Sequence, residues 1–65
     1  MISVNDERVE HQPGLTVRRL LDDRGFGAAM VAVWIGDEMV ARDRYDTTEV
    51  PDGSDVKIVL MIAGG

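Results

Sequence analysis

Val56-Lys57-Ile58-Val59-Leu60-Met61-Ile62, followed by Ala63-Gly64-Gly65, is the stretch that decides the fold. Its first seven residues are Val, Ile, Leu and Met apart from Lys57, the composition of a strand buried within a sheet. The three residues after it carry nothing larger than a methyl group. A central strand running into a bare Gly-Gly terminus is the pattern of a body that holds out its own C-terminal carboxylate. The Gly65 carboxylate is therefore the candidate functional group, and the rest of the chain is expected to present it.

Sixty-five residues form a single domain, 1–65, with a flexible tail expected at 63–65. A domain of this size buries only about 60% of the surface its unfolded chain exposes. A core and an enclosed active site compete for the same few side chains. An enzyme with its own enclosed active site is therefore not expected; a module that works on a partner's surface or in a partner's active site is. The chain contains no cysteine, so disulfides, thiolate nucleophiles and Cys-based zinc sites are excluded, and a reducing, cytoplasmic setting suits it. The formal net charge of −5 disfavours nucleic acid and anionic membrane as partners and suits a protein with a basic docking face. No signal peptide, membrane-spanning run or internal repeat is evident.

Working outward, Met1 to Val4 reads as a strand, Asn5-Asp6 as a turn, and Arg8 to His11 as a short edge strand closing a hairpin. Gln12-Pro13-Gly14 is a loop. Thr16 is a good N-cap for a helix from Val17 to about Arg24, whose apolar stripe is Val17, Leu20 and Leu21. Leu15 can staple onto Leu20, and Arg18, Arg19, Asp22 and Asp23 can pair at i,i+4. Gly25 ends the helix, and Phe26 tucks beneath it. Met30 to Ile35 is a third strand, Gly36-Asp37 a turn, and Glu38 to Val40 a short extended segment. The polar run Ala41 to Tyr45 suggests a loop with a helical turn. Thr47 to Val50 suggests a further short strand, and Pro51 to Asp55 is a dense turn signal leading into the last strand.

This order makes an α+β fold: a mixed sheet of four to five strands with one helix on one face. The first and last strands, the most apolar, are expected to lie side by side and parallel at the centre. Alternation sends Val56, Ile58, Leu60 and Ile62 toward the helix and Val59 and Met61 to the open face. In the third strand Val31, Val33 and Ile35 point inward, and Met30, Ala32 and Trp34 point outward. An open face bearing Trp34, Val59 and Met61 is either a partner-docking patch or an extension of the core beneath the 41–45 loop. His11 has no second ligand to share a metal and reads as an exposed strand-end residue, so no metal site is expected. Asp52 and Asp55 read as turn residues.

The chain resembles the ubiquitin-like, β-grasp sulfur carriers, most closely the ThiS family. The residues that carry the resemblance run the length of the chain. They are Gly14-x-Thr16-Val17-x-x-Leu20-Leu21, Val31-Ala32-Val33 before a turn, Met39-Val40-x-Arg42-x-x-Tyr45, Asp52-Gly53-x-Asp55-Val56-x-Ile58, and Ile62-Ala63-Gly64-Gly65. Gly36 and Ala41 depart from the family's usual Asn and Pro.

The resemblance implies that an E1-like, ThiF-type adenylyltransferase uses ATP to convert the Gly65 carboxylate to an acyl-adenylate. A sulfur donor then leaves a thiocarboxylate, which a ThiG-type thiazole synthase or another acceptor enzyme consumes. The carrier itself would bind no cofactor and would be a monomer when free. Gly64 would supply clearance, and Ala63, Ile62, Met61, Val59 and Trp34 would meet the partner. Three extended residues reach on the order of 10 Å. The same terminus would also suit a ubiquitin-like modifier forming isopeptide bonds, or a sulfur carrier for cysteine, homocysteine or molybdopterin. A plain binding module with an inert tail is the remaining reading.

Overall fold

The computed structural model describes residues 1–61. Five strands form one sheet: β1 (Ile2–Val4), β2 (Glu7–Val9), β3 (Val31–Ile35), β4 (Glu38–Val40) and β5 (Asp55–Leu60). Their spatial order is β2-β1-β5-β3-β4, with β5 at the centre. β1 and β5 are parallel and every other neighbouring pair is antiparallel. The one α-helix among the described residues, α1 (Val17–Asp23), supplies Val17, Leu20 and Leu21 to the core beneath it. This is the β-grasp arrangement.

Local chemistry sets each element. Asn5 and Asp6 have φ of 50° and 70°, as the two central residues of a type I′ hairpin require, and Asn and Asp tolerate that region best. Gly36, with φ of 61°, opens the two-residue turn between β3 and β4. The Thr16 side chain accepts a hydrogen bond from the Arg19 N–H at 3.2 Å and caps α1. At the other end Gly25, with φ of 76°, donates to Asp22 C=O at 3.1 Å, and Phe26 N–H donates to Leu21 C=O at 2.9 Å. These two bonds make a Schellman close, and partly buried Phe26 packs on the core as its apolar partner. Arg18–Asp22 and Arg19–Asp23 form the i,i+4 pairs on the exposed side.

Several expectations need correction. β2 spans Glu7–Val9, not 8–11, because the turn at Asn5-Asp6 fixes Ile2 opposite Val9. His11 is not free in solvent: it is half-buried, and its Nε2 donates to Val50 C=O at 2.9 Å. Met30 belongs to a 3₁₀ turn, Ala28–Met30, so β3 begins at Val31. Residues 47–50 are not a ladder strand. They bond to the helix entrance, through Val17 N–H to Thr48 C=O at 2.9 Å and Val50 N–H to Leu15 C=O at 2.8 Å, with one bridge between Thr16 and Glu49. Val50 thereby becomes a core plug.

Leu60 is the largest departure. It was expected to face the helix, and it is 54% exposed. Val56 and Ile58 on the same side of β5 are buried. A seven-residue helix covers about 10 Å, whereas a six-residue strand runs about 20 Å, so α1 leaves part of β5 uncovered.

Candidate functional site

The site is the C-terminal end of β5 and the sheet face that α1 does not cover. β5 pairs with β1 from Asp55 to Val56 and with β3 along its whole length, up to Val31 opposite Leu60. The last described rung is Met61 N–H donating to Met30 C=O at 2.7 Å. β3 is pinned at the same end, where the buried Tyr45 hydroxyl donates to Val31 C=O at 3.2 Å. The point from which the tail departs is thus fixed from the β3 side.

On the β1 side the anchor is Asn5. Its side-chain amide donates to Ile58 C=O at 3.1 Å, and its Oδ1 accepts from Ile58 N–H at 2.8 Å. The backbone of β1 has already turned away here. The carboxamide stands in for one more residue of strand. Sequence reading assigned Asn5 to the turn alone, and the second role leaves no mark at the level of composition or spacing.

The open face holds Val59 beside Ala32, Lys57 beside Trp34, and Trp34 beside Met39. Val59 is 46% exposed, and Met30, Met39 and Met61 are all more than half exposed. Tyr45, from the loop considered as a cover, lies in the helix-side core instead. The 41–45 loop therefore does not cover this face, and Trp34, Val59 and Met61 share an open side of the sheet. Ala32 is buried despite its outward register. Met39 was missed. Its place beside Trp34 becomes readable only once β4 is known to pair with β3. A shallow depression lined by Trp34, Val59, Lys57, Asp37 and Asp55 completes the face. Of the other predicted site residues, Ile62, Ala63, Gly64 and Gly65 lie outside the described residues.

Lys57, Asp37 and Asp55 border this apolar strip. Arg18, Arg19 and Arg24 are each tied to a carboxylate, Arg24 to Glu7. Asp52, before β5, accepts from the Met1 ammonium at 2.6 Å. That hydrogen bond and the ammonium charge hold the Asp52 carboxyl below the usual carboxylate range. Among the described residues no helix is long and apolar enough to cross a membrane.

The model of the ThiS family matches residues 1–65, the whole chain. The chain belongs to the ThiS family. Its fold agrees. The crystal structure of a thiamine biosynthesis protein, ThiS, from Geobacter metallireducens superposes with a TM-score of 0.79 at 30% identity, over 98% of this chain and 97% of that one. A solution structure of a thiamine biosynthesis protein from Geobacter metallireducens gives 0.76 at 30% identity, over 98% of this chain and 86% of that one. No curated protein matches the chain. The ThiS-family assignment bears out the resemblance and the β-grasp architecture read from the sequence.

Proposed function

We propose that this ThiS-family chain is a sulfur carrier in thiamine biosynthesis and that the Gly65 carboxylate is the group it carries. The observation that carries this reading is the family match over residues 1–65, which takes in Ala63-Gly64-Gly65 together with the body. A carboxylate is a poor electrophile. A ThiF-type adenylyltransferase would join the Gly65 carboxylate to the AMP moiety of ATP and release pyrophosphate. A sulfur nucleophile would then attack the acyl carbon, AMP would leave with the C–O bond electrons, and a C-terminal thiocarboxylate would remain. A ThiG-type thiazole synthase would take the sulfur from it.

In this scheme the protein supplies position, not acid–base groups. ATP is bound by the partner, and the carrier holds no cofactor of its own. Gly64 and Gly65, without Cβ atoms, fit a narrow channel and reach backbone angles closed to other residues. Ile62 and Ala63 would line the channel mouth. Trp34, Val59 and Met61 would seat the open face on the partner, where apolar and aromatic side chains supply most of the affinity. The cytoplasm, where ATP is plentiful, suits the reaction.

The test is mass spectrometry of the purified chain after incubation with a ThiF-type enzyme, ATP and sulfide. The expected result is the mass gain of one sulfur replacing one oxygen, located at Gly65. An unchanged mass, or the same gain in a chain lacking Gly65, overturns the proposal. Discharge of that sulfur by a ThiG-type enzyme assigns the pathway.

A further inference from the structure

The last rung of the sheet is half empty. The bonds from Gly36 N–H to Asp55 C=O and from Met61 N–H to Met30 C=O set the alternation along β5. Residues 55, 57, 59 and 61 direct their backbone groups at β3, and residues 56, 58 and 60 direct theirs at β1. Val56 C=O accepts from Asn5 N–H at 2.9 Å. Ile58 has both of its groups engaged by the Asn5 carboxamide. Beyond that point β1 offers nothing, because the chain reverses at Asn5 and Asp6. The N–H and C=O of Leu60 therefore face a gap, and neither has a hydrogen-bond partner among the described residues.

We infer that Leu60 is a strand-acceptor position: an extended backbone segment of the adenylating enzyme pairs with it in line with β1. The inference rests on the sulfur-carrier reading above and names how the partner grips the root of the tail. The occupant follows from the chemistry of the gap. A donor and an acceptor lie on one residue with the spacing that the Asn5 carboxamide already fills one rung earlier. An extended polypeptide presents the complementary pair, and a free anion or cation satisfies only one of them. The side chains flanking the gap set the rest. Leu60 is 54% exposed on one face, and Val59 and Met61 are 46% and 56% exposed on the other, so the added segment is apolar on both faces. Asp6, in the adjoining turn, is exposed and forms no ion pair among the described residues, and the chain carries a net charge of −5. A basic residue at the end of the segment complements both.

Leu60→Pro tests this without dismantling the sheet. Proline removes the N–H that faces the gap, while the rungs to β3 use residues 59 and 61. Leu60→Ala removes the side chain and keeps the N–H. With a ThiF-type enzyme and ATP, Leu60→Pro is expected to bind about tenfold more weakly than the parent, the ratio that one lost interfacial hydrogen bond of ordinary strength produces. Leu60→Ala should lose less.

Amide exchange on the unmodified protein carries the same test should Leu60→Pro fail to fold. The Leu60 N–H should exchange freely in the isolated chain and become protected in the complex, while the Ile58 N–H is protected in both. A complex that still adenylates Gly65 but leaves the Leu60 N–H unprotected overturns this inference alone. So does a free chain that sediments as a dimer with that N–H already protected, since a second copy is then the occupant. Absence of both complex and mass gain overturns the sulfur-carrier reading as well.

Discussion

Asn5→Gly isolates the contribution of one side chain to the strand that bears the tail. The Asn5 carboxamide makes two hydrogen bonds to Ile58, at 3.1 and 2.8 Å, across a sequence separation of 53 residues. Each bond of this kind contributes about 1 kcal/mol net, so removing both costs about 2 kcal/mol. Glycine is the informative replacement because Asn5 sits at φ 50°. Alanine there would add about 1 kcal/mol of left-handed backbone strain, and the two effects would merge. Asn5→Asp keeps an acceptor for Ile58 N–H but sets a carboxylate against Ile58 C=O, so it falls at or below the glycine variant.

A domain of this length has a total stability of about 3–10 kcal/mol, so a loss of about 2 is a large fraction. It corresponds to a fall in melting temperature of about 8–16 °C. Urea unfolding followed by the fluorescence of Trp34, the sole tryptophan, gives the free energy. Hydrogen exchange at the Ile58 amide reports the same change locally, since that N–H loses its acceptor while those at residues 57 and 59 keep theirs on β3. If Asn5→Gly unfolds within about 0.5 kcal/mol of the parent, a size typical of surface changes that touch nothing, the carboxamide is not holding β5 and the reasoning fails.

Tyr45→Phe removes the donor to Val31 C=O and is expected to cost about 1 kcal/mol in urea unfolding, with the ring still filling its place in the core. Gly25→Ala meets open space but must hold φ at 76°, so calorimetry should show a loss of about 1 kcal/mol from backbone strain alone. Val59→Asp, half-exposed on the central strand, should cost about 1 kcal/mol of stability, because Asp suits a strand poorly, and the chain should stay folded. The same variant should weaken binding to a ThiF-type enzyme by about tenfold or more in calorimetric titration, as burying a carboxylate at an apolar contact demands.

What the sequence revealed was local. Thr16 and Gly25 mark the ends of α1 because a cap needs a particular side chain or a particular φ, and both needs are written in residue type. The Asn5-Asp6 hairpin and the apolar run of β5 are legible for the same reason. What it concealed was tertiary. Thr47-Thr48-Glu49-Val50 has strand-like residues, yet its backbone groups are spent on the helix entrance, and nothing within the four residues specifies that. Leu60 has the parity of a core residue, but its exposure depends on how far α1 reaches along the sheet. On the open face, period two placed Val59, Met61 and Trp34 together. Met39 joined them only through a pairing between strands, which a single sequence does not encode. Asn5 was found as a turn former and missed as a strand substitute, because the second role depends on where β5 lies.

The asymmetry of β5 connects these observations. From Asp55 to Ile58 it is held on both sides, by β1 or Asn5 and by β3. From Val59 to Met61 it is held, among the described residues, from the β3 side alone, ending at the Met61–Met30 bond. A strand paired on both sides to its very end would leave no edge at the root of the tail, and a partner could grip only side chains. A strand released on both sides would let the root wander, and the terminal carboxylate would lose the positional advantage that a carrier supplies. Holding one side and leaving the other open at Leu60 meets both needs. If so, lengthening the β1–β2 hairpin by two residues on each strand, the step that brings β1 opposite Leu60, should raise stability and lower the rate of adenylation together. A change in which both rise would show that the open edge has no part in docking.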